Sequence, residues 1–200
     1  MSAHQSKPRI IETIVTTSSA TGEVHIAPLG LIADADRWVI APFKPSRSLD
    51  NLLEVPFACA SHTDDVRVFA GCVTGRKTWS LMPARTVRGA RLADCVSHFE
   101  LTVVRVEEDA LRPRFVCDLV AHDHHRPWGG WNRAQAAVIE GAILVSRLHM
   151  LTVEKIESEF AYLEIAISKT AGPIEAEAWG FIRERIDAWR ASISDRGGQR

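Results

Sequence analysis

The sequence predicts an α+β protein, and three observations predict it. β-Branched runs separated by polar turns fill the first two thirds of the chain. After Trp128-Gly129-Gly130 the apolar period changes from two to the helical 3.6. No βαβ alternation and no internal repeat intervenes. With 200 residues, 46% hydrophobic and 24% charged, the chain can bury a core and form one domain with an appendage.

Each element follows from local pattern. Ile10 to Thr17 is rich in β-branched residues, and Ser18 to Gly22 is a polar turn cluster, so a hairpin leads into a strand over Glu23 to Ile32. Asp34-Ala35-Asp36 turns the chain into a third strand, Trp38 to Phe43, bracketed at its exit by Pro42 and Pro45. Ser46 or Ser48 can cap a short helical turn in which Leu49, Leu52 and Leu53 supply the apolar side. Pro56 to His62 and Thr78 to Met82 read as short strands, followed by longer ones over Ser97 to Val106 and Arg114 to His122. Around Phe99-Glu100-Leu101-Thr102-Val103 the odd positions are apolar and the even ones polar, which predicts one buried and one wet face. Asn132 as N-cap with Gln135 at N3 starts a helix to about Leu151 with one narrow polar stripe, Arg133, Glu140 and Arg147. A second helix begins at Thr152 with Ile156, Phe160, Leu163 and Ile167 facing the core. Gly172-Pro173 ends it and opens a third carrying Ala178, Ile182 and Ile186, which frays at Gly197-Gly198. The expected division is a barrel-forming part over 9–127 and a three-helix part over 128–195.

Composition excludes several classes. A net charge of −1 argues against a nucleic-acid binder, which carries a basic excess. No run reaches the ~20 apolar residues of a membrane-spanning helix; the longest candidate, Ala134 to Leu151, is interrupted by Glu140 and Arg147. Met1 to Arg9 is polar, without the apolar segment of a signal peptide, so a cytoplasmic location is expected. Cys59, Cys72, Cys95 and Cys117 are widely spaced among small or apolar neighbours and read as reduced thiols serving as small hydrophobes.

The familiar catalytic signatures, G-x-S-x-G, the P-loop, G-x-G-x-x-G after a strand and H-E-x-x-H, are absent. Three constellations remain. Phe43 to Leu52 places Lys44, Ser46, Arg47, Ser48 and Asn51 at the start of a predicted helical turn. These are the cations, short donors and free helix amides that suit a phosphate, although a solvated loop with a helix cap accounts for the same residues. Nearby, Ala27-Pro28 interrupts a strand ladder, so a flat ligand can lie against that strand at low cost. His122-Asp123-His124-His125 carries metal-ligand chemistry, but on an extended strand His122 and His124 face away from Asp123 and His125. Trp128 to Arg133 is an aromatic, Gly-rich approach to a helix N-terminus; it either orients that helix or covers a ligand.

The segments Ile11-Glu12-Thr13-Ile14-Val15-Thr16-Thr17, Ala27-Pro28-Leu29-Gly30, Asn51-Leu52, Thr63-Asp64-Asp65, Asn132-Arg133-Ala134 with Val138-Ile139-Glu140, and Thr170-Ala171-Gly172-Pro173 occur in an order that resembles one family over about Arg9 to Arg190. This is the archaeal and bacterial family called domain of unknown function four-four-seven, whose members resemble flavin reductases in having an FMN-binding split β-barrel. The resemblance implies an antiparallel split barrel of about six strands with a C-terminal helical subdomain. It also implies a homodimer with FMN at or near its interface. By position, Lys44, Ser46, Arg47, Ser48 and Asn51 would hold the FMN phosphate, and Ala27 and Pro28 would lie by the ring. Asn132 and Arg133 would contact the cofactor or hold their helix in place. His25 departs from the family pattern, where a small polar residue such as Asn is commoner, and is the one acid–base candidate near the ring; Ser48 replaces the usual Thr. The expected activity is a flavin reductase-like oxidoreductase. The alternatives are a non-catalytic FMN carrier or sensor that binds a protein partner, and a metal-dependent hydrolase built on His122 to His125. Val66 to Ala93 holds Arg67, Arg76, Lys77, Arg85, Arg88 and Arg91 and no acid, whereas Glu154, Glu157, Glu159, Glu164, Glu175, Glu177 and Glu184 lie in the last two helices. That asymmetry predicts a basic barrel suited to one phosphorylated cofactor.

Overall fold

A computed structural model describes residues 7–197, with side chains to Ser194. Segment 1–6 of the polar N-terminus and Gly198 of the expected frayed end lie outside the described residues. In chain order the elements are β1 (Ile10–Ser18), β2 (Val24–Asp34), β3 (Arg37–Ile40), α1 (Arg47–Glu54), β4 (Phe57–His62) and α2 (Arg67–Val73). They continue with β5 (Leu81–Pro83), β6 (Ala90–Leu92), β7 (Ser97–Glu107), β8 (Arg114–His124), α3 (Arg133–Ser146), α4 (Val153–Thr170) and α5 (Pro173–Gly197). They form two compact units, one from the described residues of Met1–Thr63 and Trp79–Pro127, the other from those of Asp64–Thr78 and Trp128–Arg200. No helix among the described residues is long and apolar enough to cross a membrane.

The first unit is the expected antiparallel barrel, closed in the order β1-β2-β3-β8-β7-β4, with β5-β6 as a separate two-stranded sheet. Residues paired across antiparallel strands share a face. Val15, Ala60 and Leu101 therefore point inward with Leu31, Ile40, Ala58, Phe115 and Cys117, and Leu49 and Leu52 of α1 complete this core. Gly22, at φ 89°, closes the β1–β2 turn in the left-handed region that glycine tolerates. β3 is shorter than expected and stops at Ile40, because Pro42 and Pro45 withhold ladder donors beyond it.

One side of this barrel departs from the expected wet face. β6 lies against the outer surface of β1 and β4. Thr16 Oγ1 donates to Ala90 O, and Leu92 N–H donates to Ser61 Oγ at 3.2 Å. Glu100, an even position on β7 and expected in water, is 0% exposed. Cys59, Cys95 and Cys117 are buried and Cys72 is partly so, all as free thiols. Burial pushes Cys59 and Cys117 up to about 12, which keeps them protonated and inert.

In the second unit α3, α4 and α5 pack with α2, a helix that sequence pattern did not foresee. The expected division at residue 128 puts Asp64–Thr78 with the barrel, whereas these residues cluster with the helices, where α2 buries Val68, Phe69 and Ala70. The supposed basic barrel therefore divides. Arg67 pairs with Asp65 and Glu177, and Arg76 with Glu184, all within the helical unit. Gly141 is the tightest point of that unit: a Cβ there would lie 2.8 Å from Cζ3 of Trp179 and 3.3 Å from Cγ2 of Ile182. The Trp179 ring is buried and stacks on Phe160 at 5.0 Å, so it has little room to yield. Gly141→Ala is expected to destabilise the protein by about 1–2 kcal/mol, overpacking outweighing the gain in helix propensity. Thermal unfolding at matched concentration checks this, and an unchanged or raised midpoint would contradict it.

Candidate functional site

α1 forms because Ser46 is extended and its Oγ accepts the Leu49 N–H at 3.3 Å, while Leu49 and Leu52 reach into the barrel. Two cations stand at its first turn. Arg47 is exposed, with Nη2 2.6 Å from Glu23 Oε2, and Lys44 is exposed on the preceding segment. Ser48 and Asn51 of the same helix are buried. Asn51 Nδ2 donates to Thr17 Oγ1 at 3.0 Å, which ties α1 to β1.

Thr17 pairs with His25, Val15 with Ala27 and Ile14 with Pro28, so the half-buried strand carrying these residues runs from the α1 contact along β1. β3 pairs with β2 only over Leu31 to Asp34. From Val24 to Gly30, β2 therefore has β1 on one edge and, among the described residues, no strand on the other, and Pro28, which lacks an N–H, falls within this open stretch. α1 packs against both β1 and β2. The fold thus brings Lys44, Ser46, Arg47, Ser48 and Asn51 to the same end of the barrel as His25, Ala27 and Pro28. The donor set fits a phosphate, and the open strand edge offers backbone groups to a flat ring.

Asn132 and Arg133 lie in the second unit. Asn132 caps α3, its Oδ1 accepting the Ala134 N–H at 2.7 Å and its Nδ2 donating to Thr170 O at 3.2 Å. These bonds fix the start of α3 against the end of α4. Arg133 is exposed in the first turn. Trp128 and Trp131 pack edge to face at 4.5 Å and are both exposed.

His122 to His125 do not make a metal site, and no group of three or more His, Cys, Asp or Glu that could hold a metal occurs among the described residues. The pleat separates them. His122 packs toward Phe99 and His124, whereas Asp123 turns to the other face and pairs with Arg85. His125 Nε2 instead meets His98 Nδ1 at 2.9 Å, and His98 Nε2 meets Glu100 Oε1 at 3.1 Å.

That last carboxylate is a feature the sequence pattern concealed. Glu100 Oε1 also accepts the Arg85 N–H at 2.8 Å, and Oε2 accepts the N–H groups of Thr86 and Val87 at 2.7 and 2.9 Å. Burial alone would push the carboxyl up, but the amides of Arg85 and Val87, the His98 ring and the amide of Thr86 outweigh it and hold the group at about 2. An ionised Glu100 has no proton to give, so His98 donates to it from Nε2.

The N-terminal domain of the family described as "Protein of unknown function (DUF447)" matches residues 11–126, and its C-terminal domain matches residues 132–184. No curated protein matches the sequence. Among solved structures, the FMN-bound protein MM1853 from Methanosarcina mazei, itself of this family, is similar with a TM-score of 0.77 at 17% identity, over 88% of this chain and 94% of that one. The 2-nitrobenzoate 2-nitroreductase NbaA of Pseudomonas fluorescens is similar with a TM-score of 0.50 at 18% identity, over 60% of this chain and 67% of that one. At such identities the likeness shows the fold alone: an antiparallel barrel followed by helices.

Proposed function

The chain belongs to the DUF447 family, and from that premise we propose that it is an FMN-binding flavoprotein, an oxidoreductase of flavin reductase-like type. The observation that carries the reading is that one barrel unit holds both the α1 N-terminus, with Lys44 and Arg47, and the open edge of β2 at Ala27 and Pro28. The FMN bound to MM1853 supports it by fold. Lys44, Arg47 and the amides of the α1 first turn neutralise and orient the phosphate. Ser46 supplies a hydroxyl, Ser48 is buried beneath the helix, and Asn51 fixes the helix against Thr17. Ala27 and Pro28 present backbone to the ring, with His25 two residues from Ala27 as the titratable group nearest to it in the strand. Bound FMN supplies the redox chemistry, and the protein positions it and sets the charge around it. The family resemblance adds a homodimer with the cofactor at or near its interface.

The test is spectroscopic. Purified protein is expected to carry a visible flavin spectrum, or to acquire one with excess FMN, and to lose it on anaerobic addition of NADH or NADPH. Protein that stays colourless with excess FMN would overturn the reading. Protein that binds FMN but is bleached by neither donor would favour the carrier role over the reductase.

A further inference from the structure

Between the end of β3 at Ile40 and the N-cap Ser46, residues 41–45 have no regular secondary structure, yet they carry Lys44. We propose that Arg112, on the loop between β7 and β8, is a positioning residue that straps this phosphate-binding segment in place. The proposal rests on the flavoprotein reading above, and deepens it by assigning a role to a loop outside the site.

The strap is built from both directions. Arg112 reaches the segment's start, donating from Nε and Nη2 to Ala41 O at 3.0 and 2.8 Å. Its Cζ lies 4.5 Å from the centroid of the Phe43 ring. In return the Lys44 N–H donates to Leu111 O at 2.8 Å. The loop is itself held: Asp109 Oδ1 accepts the N–H groups of Leu111 and Arg112 at 2.8 and 2.7 Å. These two amides, Arg112's first, keep the Asp109 carboxyl below its ordinary value, so it remains an acceptor at neutral pH.

The geometry requires arginine. Two parallel N–H groups on one carbonyl, with the planar guanidinium over an aromatic face, is an arrangement that an ammonium cannot reproduce. The strap leaves the Lys44 side chain exposed while fixing its backbone. A segment already ordered avoids the entropy loss that a free one would suffer on closing around a phosphate. Arg112 therefore acts on phosphate affinity through Lys44, and a ligand without a phosphate does not sense it.

Arg112→Ala and Arg112→Lys test this through two readouts, hydrogen exchange at the Lys44 amide and the dissociation constants of FMN and riboflavin. Arg112→Ala is expected to speed exchange at Lys44 and to raise the FMN constant about tenfold with the riboflavin constant unchanged, and Arg112→Lys to fall between it and wild type. Equal weakening of FMN and riboflavin would overturn the proposal, as would FMN affinity and Lys44 exchange equal to those of wild type. If Arg112→Ala fails to fold, Asp109→Ala, which loosens the loop and spares the guanidinium, is expected to show the same selectivity for FMN, and its absence overturns the proposal equally. Wild-type protein that binds no FMN would overturn the flavoprotein reading itself. Wild-type protein that binds FMN, with Arg112→Ala indistinguishable from it, would overturn the strap alone.

Discussion

Glu100→Gln is expected to lower the stability of the protein by about 3–5 kcal/mol, because no orientation of an amide satisfies the donors around it. Oε1 faces Arg85 N–H and His98 Nε2, and Oε2 faces the N–H groups of Thr86 and Val87. With NH₂ in place of Oε2 the N–H groups of Thr86 and Val87 lose their acceptor; with NH₂ in place of Oε1 the Arg85 N–H does, while the His98 ring can change tautomer and accept. Urea unfolding should show a lower midpoint at an unchanged slope; a midpoint within error of wild type would mean that the carboxylate does not anchor the 85–87 segment. The same group sets an acid limit. Its folded value of about 2 lies below the ordinary 4.5, so its stabilisation is fully present above about pH 4.5 and is lost as pH falls through about 2. That contribution, about 3 kcal/mol, should be missing from the pH profile of Glu100→Gln.

Lys44→Ala combined with Arg47→Ala is expected to weaken FMN binding by about 3 kcal/mol, roughly 100-fold, since each charge-assisted bond to a phosphate contributes ~1.5–3 kcal/mol and the Glu23 partner offsets part of the Arg47 share. Little of this should be lost through folding. The Arg47–Glu23 pair is 52% and 62% exposed, and such surface pairs contribute ~0–1 kcal/mol. Fluorescence titration with FMN and riboflavin in parallel checks the assignment. FMN affinity that survives the double change would place the phosphate elsewhere, and parallel loss of both ligands would point to damage at the ring site.

What could be read in the sequence follows from the range of the forces involved. α1 was legible because a cap hydroxyl and two leucines at helical spacing act locally, and the structure uses Ser46, Leu49 and Leu52 as that pattern requires. The period of two on β7 was legible too, but it does not reveal what covers each face. Glu100 is buried because residues distant in sequence lay three amides over it. α2 leaves no local signal, because Val66, its N-cap, makes no side-chain cap and Gly71 sits within it; tertiary packing forms that helix, not propensity. The strand expected over Thr78 to Met82 forms only at Leu81–Pro83, and its partner at 90–92 is too short to display a period. At the site, the residue types around Lys44 and Pro28 were visible, whereas the open edge of β2 is a property of strand order, which the sequence of one strand cannot show.

The placement of α2 also bears on how the chain can be made and divided. Because Asp64–Thr78 folds with residues that follow Trp128, the helical unit is discontinuous along the polypeptide. During synthesis Val68 and Phe69 emerge well before α3 and α5, the helices that bury them, so they must wait, uncovered, while β5 to β8 are translated. For the same reason a cut near residue 128 separates no autonomous piece: the C-terminal fragment would lack one wall of its own core, and the N-terminal one would trail an apolar helix with nothing to pack on.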